Sequence, residues 1–195
     1  MQSLNPKYII QVQKPYLCNV TCLNIILYRQ CWVIFEQEEM AEFFDVKIHP
    51  SLVPCFTKKF KTTDRLNDDE WLKTIEEENK INLFLQEQNI ALHAKAYTLS
   101  EILKSWTLTQ FIEKNIEANN DMWVEYKLEW LFPWNKWIHD WLIESMDWRN
   151  IVMINPWYDT PNRYTMDINL VEEALSNKFA RETGIVVICK NSYYL

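Results

Sequence analysis

Glycine is almost missing from this chain, which contains 1 glycine among its 195 residues. Turns must therefore be built largely from Asn, Asp and Pro, which tolerate or pre-set turn dihedrals. No stretch approaches the roughly 20 apolar residues that a membrane-spanning helix needs. The N-terminus also lacks the basic start and apolar run of a secretory signal. We therefore expect a protein that is neither secreted nor embedded in a membrane.

Positive charge is also scarce: 20 Lys and Arg stand against 27 Asp and Glu, for a net charge of -7. Binding to phosphate backbones needs a basic surface, so we expect no nucleic-acid partner. The 5 cysteines are an odd number without the density of a disulfide scaffold. This usage predicts a reducing, cytoplasmic compartment and at least one free thiol.

Hydrophobic residues make up 48% of the chain, enough for the core of a single domain over residues 1–195. The first half reads mainly as helices and the second half mainly as strands. This order predicts an α+β fold in which helices of the first half pack on an antiparallel sheet from the second half. The predicted helices cover 18–28, 35–44, 66–89, two pieces within 98–119, and 169–179; the predicted strands cover 90–97, 121–130, 137–147, 150–157 and 184–190.

Helix starts are marked by side chains that can cap exposed backbone N–H groups. Thr98 with Glu101 and Thr107 with Gln110 have capping-box spacing, and Asn67 is the predicted cap of the third helix. The segment 49–54 reads as a loop.

Cys18 stands where the first apolar helix begins, in "QKPYLCNVTCLNIIL". A helix N-terminus favours an anion, so a thiol there is a candidate nucleophile. Cys22 lies one turn further along, among apolar neighbours, and reads as a small core residue. A zinc site made from both thiols would need a second pair of ligands, which the sequence lacks.

A cysteine nucleophile needs a base, and the chain has 3 histidines. His49 lies in the predicted loop and His93 in an alternating strand. His139 begins a predicted strand, and Asn155 ends the next one. In adjacent antiparallel strands the start of one lies beside the end of the next. The residues therefore point to a Cys18, His139 and Asn155 triad.

The chain order of cysteine, histidine and asparagine resembles that of the papain-like cysteine peptidase superfamily. Three segments carry the likeness: "CNVTCLNIIL" after upstream glutamines, "EQEEMAEFF" and "HDWLIESMDWRNIVMINP". The likeness is closest to its bacteriocin-processing, double-glycine leader peptidase branch. The resemblance implies that Cys18 is the nucleophile, that His139 takes its proton and that Asn155 orients the imidazole. A glutamine before the nucleophile would complete the oxyanion hole with the backbone N–H of Cys18.

The remaining site residues follow from their positions near this triad. The oxyanion glutamine is Gln11 or Gln13, with Gln13 favoured by the shorter loop to Cys18. Asn19 follows the nucleophile, and Trp134 and Trp137 lie in an aromatic loop, 130–137, that leads into His139. We expect these three residues to contact substrate.

Two functions follow as expectations. The first is a cysteine-dependent hydrolase or acyltransferase that acts on a peptide or small amide through a thioester, without metal or organic cofactor. The second is a non-catalytic papain-like binding module whose working surface is the aromatic loop. The acceptor, water or amine, and the oligomeric state are left open by the sequence.

Overall fold

The computed structural model describes residues 2–63, 74–127, 138–157, 159–176 and 184–190. Its strands form one antiparallel sheet with the order β2-β7-β3-β4-β5-β6, and β1 pairs with β4. The strands are β1 Gln2–Ser3, β2 Leu92–Tyr97, β3 Asp121–Lys127, β4 Ile138–Asp147, β5 Asn150–Asn155, β6 Asn162–Asp167 and β7 Ile185–Lys190.

Helices cover both faces of this sheet. They are α1 Cys18–Cys31, α2 Gln37–Phe43, α3 Thr74–Glu87, α4 Leu99–Ile102, α5 Leu108–Glu117 and α6 Ile168–Ser176, with a 3-10 helix over Pro50–Cys55. Helices α1, α2 and α3 share one core cluster with sheet residues such as Leu142 and Ile154. Helices α4, α5 and α6 share the other with residues such as Trp141 and Met153.

Helix α1 is buried on nearly all sides. The predicted apolar face, Val20, Leu23, Ile26 and Leu27, is fully in the core, and so is Ile25 on another side of the helix. While α3 packs on β2 and β7, helix α1 contacts β4 of the sheet and α2. Its N-terminal end is thereby held against the start of β4.

The α+β prediction is confirmed, with two differences in detail. The sheet takes β1 and β2 from the first half of the chain, so it is not built from the second half alone. Strand β6 was not predicted, because it is an edge strand whose residues are largely exposed and so lack an apolar alternation. The predicted loop at 49–54 is mostly the 3-10 helix.

Both predicted capping boxes are confirmed. The Thr98 side chain accepts from the backbone N–H of Glu101, and Thr107 does the same for Gln110. The predicted Asn67 cap lies outside the described residues.

The glycine-poor turns use a wider set of residues than we predicted. Asn and Asp supply half of the left-handed positions, while tyrosine and tryptophan supply the rest: Tyr16, Trp32, Asp45, Asn89, Asn119 and Trp148. Tyr16, with φ of 65°, turns the chain just before α1.

Within the described ranges, no helix has the length and apolar character needed to cross a bilayer.

Candidate functional site

Cys18 is the first residue of α1, as predicted. Leu17 is the N-cap residue of the helix, and its side chain makes no capping hydrogen bond. The Cys18 thiol is 2% exposed. The carboxylate and backbone N–H of Asp140 and the backbone N–H of Asn19 lie near enough to influence the pKa of this thiol.

Burial raises the pKa of the Cys18 thiol well above its ordinary value, and the charge of Asp140 adds to the effect. The two backbone N–H groups act in the opposite direction, because they stabilise a thiolate. At neutral pH the resting residue is therefore a neutral thiol, and the backbone N–H donors that would stabilise its thiolate are already in place.

His139 and Asn155 lie together at the ends of neighbouring strands, as predicted. His139 Nε2 is 2.8 Å from Asn155 Oδ1, and the backbone N–H of Trp157 donates to the same oxygen at 3.0 Å. A backbone N–H can only donate, so the shared atom must be the amide oxygen. Nε2 of His139 therefore carries the proton, and Nδ1 is the basic atom of the neutral ring.

Aromatic rings surround the imidazole. The ring of Trp157 meets that of His139 edge-on, with centroids 5.0 Å apart and planes at 88°. The ring of Trp141 lies on the same side of the strand, with its centroid 6.3 Å from that of His139. Burial lowers the pKa of His139 to about 4, although the Asn155 bond opposes the shift. The ring is neutral at physiological pH.

Successive residues of a strand point to opposite faces of the sheet. Leu142 faces the core that contains α1, and Trp141 faces the other core. The same alternation directs Asp140 toward α1 and His139 away from it. Among the described residues, no hydrogen bond or charge contact joins the Cys18 thiol to the His139 ring. The structure brings together His139 with Asn155, and separately Cys18 with Asp140.

Of the two candidate glutamines, Gln13 lies beside the end of β5. Its backbone N–H donates to the carbonyl of Pro156 at 2.9 Å. Its side chain is buried, and Oε1 has no hydrogen-bond partner among the described residues. Gln11 instead reaches the carbonyl of Asn24 at 3.5 Å. Gln13 is thus the glutamine attached to the Asn155–Pro156 end of the site.

Three buried carboxylates surround the start of α1; we call them the acidic cluster: Glu77, Glu125 and Asp140. Glu125 of β3 is the register partner of Asp140 on the neighbouring strand β4. The side chain of Asn19 lies near Glu77 of α3 and lowers its pKa. Burial raises the pKa of Asp140 to about 7. It also raises the pKa of Glu77, with further contributions from the other two carboxylates.

Parts of this cluster lack hydrogen-bond partners. Asp140 Oδ1 and Glu77 Oε2 are buried without one among the described residues. Glu77 and Asn19 also line a small cavity beside Trp123. Unpaired buried carboxylates favour their protonated forms, so this side of the site can hold protons near neutral pH.

The acidic cluster and Trp157 were not predicted as parts of the site. A signal was present, because single acidic residues interrupt the apolar strands "MWVEY" and "HDWLI". A charged residue in a strand that is buried on both faces needs a reason, in the same way as Asn155 did.

The other predicted residues are placed as follows. Asn19 is half-buried, and its Oδ1 accepts from the backbone N–H of Val20 at 2.7 Å. Trp134, Trp137 and the aromatic loop lie outside the described residues. Cys22 is a core residue, and its thiol donates to the carbonyl of Asp140 at 3.5 Å. The part of the chain that is described contains no group of three or more side chains arranged to hold a metal.

Neither a protein-family model nor a curated protein sequence matches this chain.

Proposed function

We propose that this protein is a papain-like, cytoplasmic cysteine-dependent hydrolase or acyltransferase that acts on a peptide or small amide. Cys18 is the nucleophile, His139 the general base and Asn155 its orienting residue. The observation that carries the proposal is the 2.8 Å bond between His139 Nε2 and Asn155 Oδ1, which leaves Nδ1 as the proton acceptor.

The reaction passes through a thioester. The sulfur of Cys18 adds to the amide carbonyl, and the C–N bond breaks to release an amine. The backbone N–H of Cys18 and the side-chain amide of Gln13 stabilise the oxyanion. Water or a second amine then adds to the thioester, and its proton goes to His139. Hydrolysis and acyl transfer differ only in this acceptor.

An acyl-enzyme experiment tests the proposal. The protein is treated with p-nitrophenyl acetate, whose leaving group departs without help, and the adduct is located by peptide mass spectrometry. We expect one acetyl group on Cys18, which hydroxylamine removes. We expect Cys18→Ala to abolish it and His139→Ala to prolong its lifetime by about 10²–10⁴-fold, the usual contribution of a general base.

Cys22→Ala is the matched control, because it removes a buried thiol one turn from Cys18 and should leave the adduct in place. The exposed Cys55 reports ordinary thiol reactivity in the same sample. An adduct that forms on Cys55 but not on Cys18, or that has the same lifetime in His139→Ala, would contradict the proposal.

A specific observation favours the second candidate, a non-catalytic papain-like binding module. The Cys18 thiol is buried, and its raised pKa keeps it protonated. A binding module needs no thiolate. It predicts no acyl adduct on Cys18 under any condition that leaves the protein folded, so the same experiment separates the two candidates.

A further inference from the structure

The first proton transfer of the proposed reaction has two possible acceptors. His139 holds its basic Nδ1 on a ring that the strand directs away from α1. Asp140 instead faces α1, where its carbonyl accepts from the Cys22 thiol at 3.5 Å, and its carboxylate and backbone N–H both influence the pKa of the Cys18 thiol. Among the described contacts of Cys18, Asp140 is the only side chain that can take a proton.

We propose that Asp140 accepts the thiol proton of Cys18, which makes Asp140 a catalytic residue of the acylation step and leaves His139 to act on the acyl acceptor. This assignment rests on the proposed function.

Charge conservation supports the choice of Asp140. When a thiol gives its proton to a carboxylate, the buried site holds one negative charge before the transfer and one after it. A transfer to neutral His139 would create a cation and an anion in the same buried space, which costs much more. The pKa values agree in direction, since burial raises that of Asp140 to about 7 and lowers that of His139 to about 4.

The surroundings of Asp140 also suit a proton acceptor. Its Oδ1 has no hydrogen-bond partner among the described residues, so a second lone pair is available. The backbone N–H groups of Asp140 and Asn19 would stabilise the new thiolate. Lys80 of α3 offsets the charge of Glu77. The titratable groups facing Asp140 are Cys18 and Cys22 of α1, Glu77 of α3 and Glu125 of β3.

The atoms balance as follows. The S–H bond of Cys18 breaks, and an O–H bond forms on Asp140. The thiolate adds to the amide carbonyl, and the departing nitrogen takes the proton from Asp140 when the C–N bond breaks. The carboxylate is restored, and Cys18 carries the acyl group. Water or an amine then adds and gives its proton to His139 Nδ1, the departing sulfur takes a proton from solvent, and His139 releases its proton to solvent.

The pH dependence of Cys18 alkylation by iodoacetamide, located by mass spectrometry, tests the assignment. A thiol that shares one proton with a carboxylate has a constant thiolate fraction once the carboxylate has lost its own proton. We expect the wild-type rate to rise up to about pH 7, where Asp140 titrates, and to stay level to about pH 9.

Asp140→Asn should remove the level region, because the proton must then leave to solvent. Its rate should rise about tenfold per pH unit, or roughly 100-fold between pH 7 and 9. His139→Ala should keep the level region. Asp147→Asn, an acid at the exposed end of the same strand, should behave as the wild type.

Two results would overturn the assignment. If Asp140→Asn keeps the level region and His139→Ala loses it, His139 holds the proton, and the proposed function stands without Asp140. If Cys18 is not alkylated from pH 6 to 9 while Cys55 is, the assignment and the proposed function both fail.

Discussion

Two buried aspartates on adjacent strands have opposite surroundings. Asp121 of β3 accepts from Arg29 Nε and from Gln30 Nε2, each at 2.6 Å. The carboxylate of Asp140 in β4 has the Cys18 thiol near it instead of a cation. Its Oδ1 has no hydrogen-bond partner among the described residues. Burial raises the pKa of both, but at Asp121 the Arg29 guanidinium opposes the shift. One carboxylate is fixed as an ion, and the other can exchange a proton.

This difference separates two uses of a buried charge. A charge that is paired and fully hydrogen-bonded holds elements together, here α1 and β3. A charge without such partners is retained at a cost in stability, and perturbed carboxylates of this kind concentrate at functional sites. Each of the following substitutions changes either the paired charge or a carboxylate that lacks such partners.

The largest expected effect comes from Arg29→Met, which leaves Asp121 buried without its cation. We expect the free energy of unfolding to fall by about 3–5 kcal/mol, the usual cost of an uncompensated buried charge. Urea denaturation measures it. Arg149→Met is the control, because its partner Asp167 is in an exposed pair and the loss should stay within about 1 kcal/mol. A loss for Arg29→Met as small as the control's would show that the buried pair is not important for stability.

Glu77→Gln should increase the free energy of unfolding, whereas Arg29→Met should decrease it. The substitution removes a charge from the acidic cluster, and we expect a gain of about 1–3 kcal/mol in unfolding free energy at pH 8. The gain should shrink at pH 4, where the carboxyl of the folded protein is already protonated. Glu87→Gln, at the exposed end of α3, should change stability by less than about 0.5 kcal/mol. A loss of stability for Glu77→Gln would mean that its charge is needed by the fold.

Asp140 should make stability decrease as pH rises. Its pKa is about 7 in the folded protein and 3.8 ordinarily, so the folded state binds the extra proton between those values. We expect a contribution of about 4 kcal/mol that is present below pH 4 and lost as the pH rises through about 7, measured from urea midpoints. Asp140→Asn should flatten this part of the curve.

Glu38 makes stability increase with pH, which is opposite to the effect of Asp140, so the two contributions must be separated. The pKa of Glu38 is lowered to about 2 by bonds from Lys14, Thr57 and Lys58, so its contribution is lost as pH falls below 4.5. The Asp140 contribution is therefore the difference between wild type and Asp140→Asn at each pH. Equal curves for the two proteins would contradict the prediction.

The smallest expected effect is a change in the pKa of His139. Asn155→Asp places a carboxylate beside the imidazole, as Asp121 lies beside Arg29. An adjacent carboxylate favours the imidazolium, so the pKa of His139 should rise from about 4 by roughly 1–3 units. Proton NMR of the ring Hε1 signal measures it, with the other histidines as internal references. A value that stays near 4 would show that burial, and not the partner, controls this ring.

The ends of the elements were the most predictable part of the site. Cys18 at the start of α1 follows from the turn that precedes an apolar helix, and the His139–Asn155 contact follows from antiparallel neighbours. Which face of the sheet each side chain occupies could not be predicted. Residues 139–146 are buried on both faces, so they show no apolar alternation that would tell Asp140 from His139. The contact between Cys18 and Asp140 depends on that choice.

The backbone hydrogen bond from Gln13 to Pro156 joins an early stretch of the chain to a late one. Cys18 and Gln13 emerge from the ribosome long before β4 and β5 do. A nascent chain therefore carries its thiol without Asp140, His139 or Asn155, and such distant contacts are also slow to form. The arrangement of these four residues can therefore form only after translation has passed Trp157.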